Sequence, residues 1–110
     1  MSYSRLQLDN KVAVVIGGTS GIGLAIAKGM AEAGADVVPT SRRLEQVDAA
    51  ATIVENLGRR SLRVASDVSD RQSLEEACAQ TMSAFGRVDI LVNSAGRTKR
   101  APTLEFSEQD

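Results

Sequence analysis

An α/β fold built on a doubly wound parallel sheet is predicted by three features of the chain. The apolar, β-branched run Val12-Ala13-Val14-Val15-Ile16 reads as a strand buried on both faces, the mark of a parallel sheet. It breaks into Gly17-x-x-x-Gly21-x-Gly23 and resumes as an Ala-rich segment with helical periodicity. Strand-like and helix-like segments then alternate as βαβαβαβ, and right-handed crossovers place helices on both faces of such a sheet.

Each element follows from its pattern. The first helix is expected from about Ile22 to Ala33, with Ile22, Ile26 and Met30 on one stripe and Gly34 as its stop. The second strand is expected around Asp36–Thr40, although Pro39 deletes a ladder donor and belongs at an edge or a strand end. A second helix is expected from about Leu44 to Leu57, where Leu44, Val47, Ala51 and Val54 share a face and Gly58 closes it. Leu62–Ala65 is the expected third strand. Ser69-Asp70-Arg71-Gln72 has the form of a capping box opening a third helix, with Leu74, Ala77, Cys78, Thr81 and Phe85 at helical spacing and Gly86 at its end. Val88–Val92 is the expected fourth strand. No repeat, linker or low-complexity segment interrupts the run.

Strand, glycine turn and helix is the geometry of a phosphate site. Glycine admits the backbone angles of the turn and lets a pyrophosphate approach the main chain. The helix that follows aims unpaired N–H groups and its positive dipole end at that phosphate. A triphosphatase P-loop would need Lys and then Ser or Thr after the last glycine, but Leu24-Ala25 follows Gly23. The G-x-G-x-x-G spacing fails too, because Ile26 stands at its third glycine position. The plain alternative is a tight turn with no ligand. Against it, ligands of parallel sheets bind beyond the carboxyl ends of the strands. Four loops bearing polar or glycine residues should converge there: Gly17–Gly23, Thr40–Arg43, Ser66–Ser69 and Asn93–Arg97.

Composition narrows the function. The chain has 110 residues and a formal net charge of −1, so its overall balance carries no nucleic-acid or membrane footprint. Aromatic residues make up 3%, which argues against a base-stacking platform. Cys78 is the only cysteine and there is no histidine, which excludes an internal disulfide and argues against a structural zinc site. Met1–Lys11 is polar, with neither a signal-peptide core nor a membrane-spanning run. A cytoplasmic protein is expected, with no metal, nucleic-acid or membrane partner.

Three motifs in order then carry a resemblance. Gly17-x-x-x-Gly21-x-Gly23, Asp67-Val68 after the third expected strand, and Asn93-Ser94-Ala95-Gly96 after the fourth are similar to motifs of the short-chain dehydrogenase/reductase family. The chain resembles the N-terminal half of such an enzyme over nearly its whole length. It departs from the pattern at Ile16, where Thr usually precedes the glycines, and at Ser94, which replaces the second Asn of Asn-Asn-Ala-Gly. The resemblance implies a Rossmann-type sheet of strand order 3-2-1-4, incomplete here, with residues 1–110 as the N-terminal portion of an NAD(P)-binding domain. It implies cofactor contacts at Gly17, Thr19, Ser20, Gly21, Ile22, Gly23, Ser41, Arg42, Asp67, Val68, Asn93 and Gly96, with Asp67-Val68 at the adenine ring.

The cofactor choice has a physical basis. An NAD site places Asp or Glu about 20 residues past the glycines to accept from the ribose 2′-hydroxyl. Here the second expected strand leads into Ser41-Arg42-Arg43, without a carboxylate. A guanidinium pairs with a 2′-phosphate that a carboxylate would repel. NADP is therefore expected over NAD, read by Arg42 with hydroxyls from Ser41, Thr19 and Ser20 and with Arg43 in reserve. The plain alternative for both arginines is a solvated pair of charges at a helix start.

Other features are read more simply. Cys78 on an apolar helix face is packing rather than a reactive thiol. Arg97, Lys99 and Arg100 form a solvated basic loop.

In the family a Ser and a Tyr-x-x-x-Lys pair perform the chemistry, and residues 1–110 contain no counterpart, the only tyrosine being Tyr3. Ser107-Glu108-Gln109-Asp110 resembles the opening of a further helix, which reads as a truncated enzyme. The expected function is the N-terminal part of an NADP-dependent oxidoreductase for a carbonyl/alcohol pair, of ketoacyl or sugar-acid type by analogy, without a catalytic residue of its own and acting as a homo-oligomer. The alternative is a non-catalytic dinucleotide-binding module complete at Asp110.

Overall fold

β1 (Val12–Ile16) is the central strand of a three-stranded parallel sheet, flanked by β2 (Asp36–Thr40) and β3 (Ile90–Asn93) in the order β2-β1-β3. The computed structural model describes residues 8–94. Val12 pairs with Asp36 and Ile16 with Thr40 on one side; Ala13 pairs with Ile90 and Ile16 with Asn93 on the other. No residue of β1 is more than 3% exposed, as its unbroken apolar run requires.

Helices cover both faces. Alternating side chains of the sheet divide the core in two. Val15 and Val37 pack with Ala27 and Ala31 of α1 (Gly21–Glu32) and with Val54 of α2 (Leu44–Asn56). Val14, Ile16 and Val38 pack on the opposite face with Ala77 of α3 (Arg71–Phe85). This is the doubly wound parallel architecture, and it directs the carboxyl ends of all three strands to one edge of the molecule.

The face of α1 differs from the expected one. Gly23, Ala27 and Ala31 are buried, whereas Ile22 is 77% exposed and Met30 only borders the core. Small residues let the helix axis approach the sheet, and larger side chains on that face would hold it off. In α2 the face is Val47, Ala50, Ala51 and Val54, with Leu44 left exposed. Both helices end in the same way. Arg59 N donates to Val54 O and Gly58 N to Glu55 O after α2, while Ala35 N donates to Met30 O and Gly34 N to Ala31 O after α1. These paired bonds satisfy the last carbonyls of each helix.

The expected strand at 62–65 is not a strand. That segment runs along the outer side of β2 and is fastened at its two ends, by Val37 N donating to Arg60 O (3.1 Å) and Ser66 N to Ser41 O (2.8 Å). Pro39 is the reason the ladder does not close between them. The N–H of Val37 points outward, so by alternation the missing N–H of Pro39 is also on the outer side. The β1–β2 ladder loses nothing, and Pro39 sits fully buried opposite Val15. Side chains hold the segment instead: the buried Thr40 hydroxyl donates to Val64 O (2.5 Å) and lies 3.0 Å from Ser66 Oγ. Arg63 ties it to α2 through Asp48 and Glu55.

Two boundaries also shift. Asp70, not Ser69, caps α3, its carboxylate accepting from Gln72 N and Ser73 N. The last strand begins at Ile90 rather than Val88. Asp89 ties the strand's start to β1 twice, its Oδ2 accepting from Val12 N and its own N–H donating to Val12 O, both at 2.8 Å. No helix among the described residues is long and apolar enough to cross a membrane.

Candidate cofactor-binding site

The three strands deliver Gly17, Ser41 and Ser94 to one edge, where backbone hydrogen bonds knit the loops together. Gly17 N donates to Thr40 O (2.8 Å), Ser94 N to Ile16 O (2.9 Å) and Ser66 N to Ser41 O (2.8 Å). The glycine loop, the β2–α2 turn, the 66–69 turn and the end of β3 therefore form a single rim.

The glycine loop is built for close approach. Gly21, the first residue of α1, has φ 56° and no atom within 4 Å of where a Cβ would stand. Gly23 is the opposite case, for a Cβ there would collide with Gly17 O and lie 2.5 Å from Ser94 Oγ. Ser20 is the extended N-cap of α1 and makes no side-chain cap, and the first intrahelical bond runs from Leu24 N to Ser20 O. The amides of Gly21, Ile22 and Gly23 thus head the helix at the open positions that orphan donors occupy. An anion with several oxygens, such as a pyrophosphate, fits this cradle and the dipole behind it. Ile22, 77% exposed, projects from the same turn.

Hydroxyls and charge line the next part of the rim. Thr19 Oγ1 is 2.9 Å from Ser41 Oγ and 3.4 Å from Gln46 Oε1, which joins the glycine loop to the turn after β2. Arg42 is exposed on that turn, with no carboxylate among Ser41, Arg42 and Arg43. The hydroxyl and then the backbone N–H of Ser69 donate to Asp67 Oδ1, at 2.7 and 3.0 Å. With the field of Arg42 they hold the Asp67 carboxyl below its ordinary value of 3.8. Asp67 N in turn donates to Ser73 Oγ at 2.9 Å, so α3 fixes the acidic turn.

Beyond Asp67 the rim opens into a cavity of about 570 Å³ lined in part by Ile16, Val68, Leu74, Leu91 and Asn93. That is the size range of small-molecule and cofactor pockets. Val68 is 43% exposed at its mouth, and Asn93 ends β3 on its wall. Cys78 also borders it, and burial pushes its thiol pKa up, as expected of a packing residue.

The structure therefore brings Gly17, Thr19, Ser20, Gly21, Ile22, Gly23, Ser41, Arg42, Asp67, Val68 and Asn93 to one edge. Gly96 and the Arg97, Lys99 and Arg100 cluster lie outside the described residues. Four contributors are not among the expected cofactor contacts. Gly18 leaves no room for a Cβ, which would lie 2.7 Å from Val15 O. Ser94 packs its hydroxyl at 3.2 Å from Ile16 O. Ser73 and Gln46 act through contacts with residues distant along the chain, for which a linear motif has no sign.

Known proteins are similar to this chain in sequence and fold. The chain is 40% identical over 111 residues to gluconate 5-dehydrogenase of Gluconobacter oxydans, across 100% of this chain and 43% of that protein. L-sorbose reductase from Gluconobacter frateurii, solved with NADPH and L-sorbose, superposes with a TM-score of 0.78 at 38% identity, over 94% of this chain and 40% of that one. A short chain dehydrogenase from Burkholderia cenocepacia, solved with NADP, gives 0.78 at 41% identity, over 86% and 39%. The chain thus spans about two fifths of the length of these relatives. Residues 11–110 match the short chain dehydrogenase family as a whole. A glycine cradle at the head of α1, a hydroxyl-and-arginine turn after β2 and an acidic turn before α3 are thus one site, and this chain belongs to the short chain dehydrogenase family of oxidoreductases.

Proposed function

We propose that this chain is the cofactor-binding part of an NADP-dependent oxidoreductase acting on a carbonyl/alcohol pair. The observation that carries the cofactor choice is the turn after β2, where Ser41 is followed by Arg42 and no carboxylate stands to receive a ribose 2′-hydroxyl. A guanidinium there complements a 2′-phosphate, and its neighbour Asp67 balances the charge when the phosphate is absent. The cofactor itself supplies or accepts the hydride. This chain's residues would hold it: the α1 amides and Gly17–Gly23 at the pyrophosphate, Ser41 and Arg42 at the ribose phosphate, Asp67, Val68 and Asn93 around the adenine.

Two similar proteins solved with NADPH or NADP support the cofactor, and the sugar and sugar-acid substrates named for relatives support a polyol or sugar-acid substrate. Calorimetric titration of NADPH and NADH tests the reading. Tighter binding of NADPH is expected in the wild type, with the order reversed in Arg42→Asp. Equal affinities before and after the substitution would overturn it.

A further inference from the structure

The Thr19 hydroxyl has one hydrogen and two acceptors within reach, Ser41 Oγ at 2.9 Å and Gln46 Oε1 at 3.4 Å. Ser41 is half-buried at the end of β2, while Gln46 stands exposed in the first turn of α2. Hydroxyls both donate and accept, whereas a carboxamide oxygen only accepts. The Thr19–Ser41 link can therefore run in either direction, and only the direction that starts at Ser41 continues to the Gln46 oxygen.

We propose that Thr19, Ser41 and Gln46 form a reversible hydrogen-bond chain, with Gln46 as the positioning residue that sets which way the Ser41 hydroxyl points. The proposal rests on the dinucleotide reading of this site. In one direction Thr19 donates to Ser41, and the Ser41 hydrogen is turned outward to donate to a phosphate oxygen. In the other, Ser41 donates to Thr19 and Thr19 to Gln46 Oε1. The Ser41 lone pairs then face outward and accept from a ribose 2′-hydroxyl. The first direction suits a 2′-phosphate, an acceptor only, and needs nothing from Gln46. The second suits an unphosphorylated ribose and needs Gln46 as its terminal acceptor. Gln46 thus retains affinity for the non-phosphorylated dinucleotide at a site whose arginine favours the phosphorylated one.

The test measures the dissociation constants of NADPH and NADH for the full chain and for Gln46→Leu, Thr19→Val, the double variant and Arg42→Ala. Loss of one neutral hydrogen bond is worth about three- to tenfold in binding. Gln46→Leu is expected to weaken NADH by that factor and to leave NADPH within about twofold. In the Thr19→Val background the same substitution is expected to have no further effect on NADH, as coupled groups in one chain require. A merely structural role for Gln46 would move both cofactors together and add to Thr19→Val, and either result overturns the proposal. Arg42→Ala separates it from the underlying reading. An unchanged NADPH-to-NADH ratio there overturns the arginine assignment, whereas a shifted ratio there with a flat one in Gln46→Leu overturns the chain alone.

Discussion

Ser94 Oγ stands 3.4 Å from the Gly17 carbonyl oxygen, so the end of β3 is pressed against the glycine loop. The same carbonyl is what a Cβ on Gly23 would strike, with Ser94 Oγ closing the other side. The carbonyl is backbone and cannot swing aside, and the Ser94 hydroxyl is held by its hydrogen bond to Ile16 O. Gly23→Ala must therefore shift the loop or the head of α1. It is expected to destabilise the chain by about 1–3 kcal/mol, the usual range for overpacking. Dinucleotide affinity is expected to fall more than tenfold, because the amides of Gly21–Gly23 move with the loop. Gly21→Ala separates the two effects: its Cβ meets open space but its φ of 56° is strained, so a loss of stability without a collision is expected. Thermal melts and calorimetry on both variants check this.

Asp89 supplies a pH dependence whose sign can be worked out. Arg87 holds its carboxyl below the ordinary 3.8, and the N–H of Val12 donates to it as well. A carboxyl depressed in the folded state contributes stability above its unfolded pKa and loses it as pH falls through the folded one. The chain is thus expected to lose stability on acidification from about pH 4 downward. Asp89→Asn should lower stability at pH 7 by about 1–2 kcal/mol, a charged hydrogen bond's worth, and flatten that acid limb. Denaturant midpoints from pH 3 to 7 decide it; an unchanged acid slope in the variant would count against Asp89.

Asp70 anchors α3 by accepting from the amides of Gln72 and Ser73. Asp70→Ala is expected to cost about 1 kcal/mol, as loss of an N-cap usually does. Ser69→Ala, at the position the sequence pattern favours, should leave the helix cap intact. Its hydroxyl serves Asp67 instead, so its expected effect is on dinucleotide binding. A larger melting-point loss in Ser69→Ala than in Asp70→Ala would reverse these roles.

What the sequence disclosed and what it hid divide along physical lines. β1 was legible because five consecutive apolar residues fit a strand buried on both faces. The glycine turn was legible because its backbone demands are local. The buried face of α1 was not: periodicity ranks Ile22 and Ile26 above Gly23 and Ala27, whereas the sheet selects for closeness rather than hydrophobicity. The edge at 62–65 failed for a reason visible in the sequence, Pro39, but its consequence depends on which side of β2 the lost donor faces. Gln46 and Ser73 were hidden because their partners, Thr19 and the Asp67 amide, are defined only once the loops meet.

β3 supplies the last prediction. It has a strand partner only at β1 among the described residues. Ser94 N donates to Ile16 O and Ala13 pairs with Ile90, so by alternation the amides of Ile90 and Val92 face β1 and that of Leu91 faces outward. Ile90 is half-buried on the same side of the sheet as Val92, which packs against the α1–α2 core. An apolar strand at the edge of a sheet is a template for association. The 110-residue chain is therefore expected to self-associate as its concentration rises. Charged side chains on an edge discourage such pairing, so Ile90→Lys should shift the sedimentation profile toward monomer while keeping the far-UV circular dichroism of the wild type. A wild-type chain that stays monomeric up to about 100 μM, where exposed edges commonly aggregate, would show that this edge is already covered.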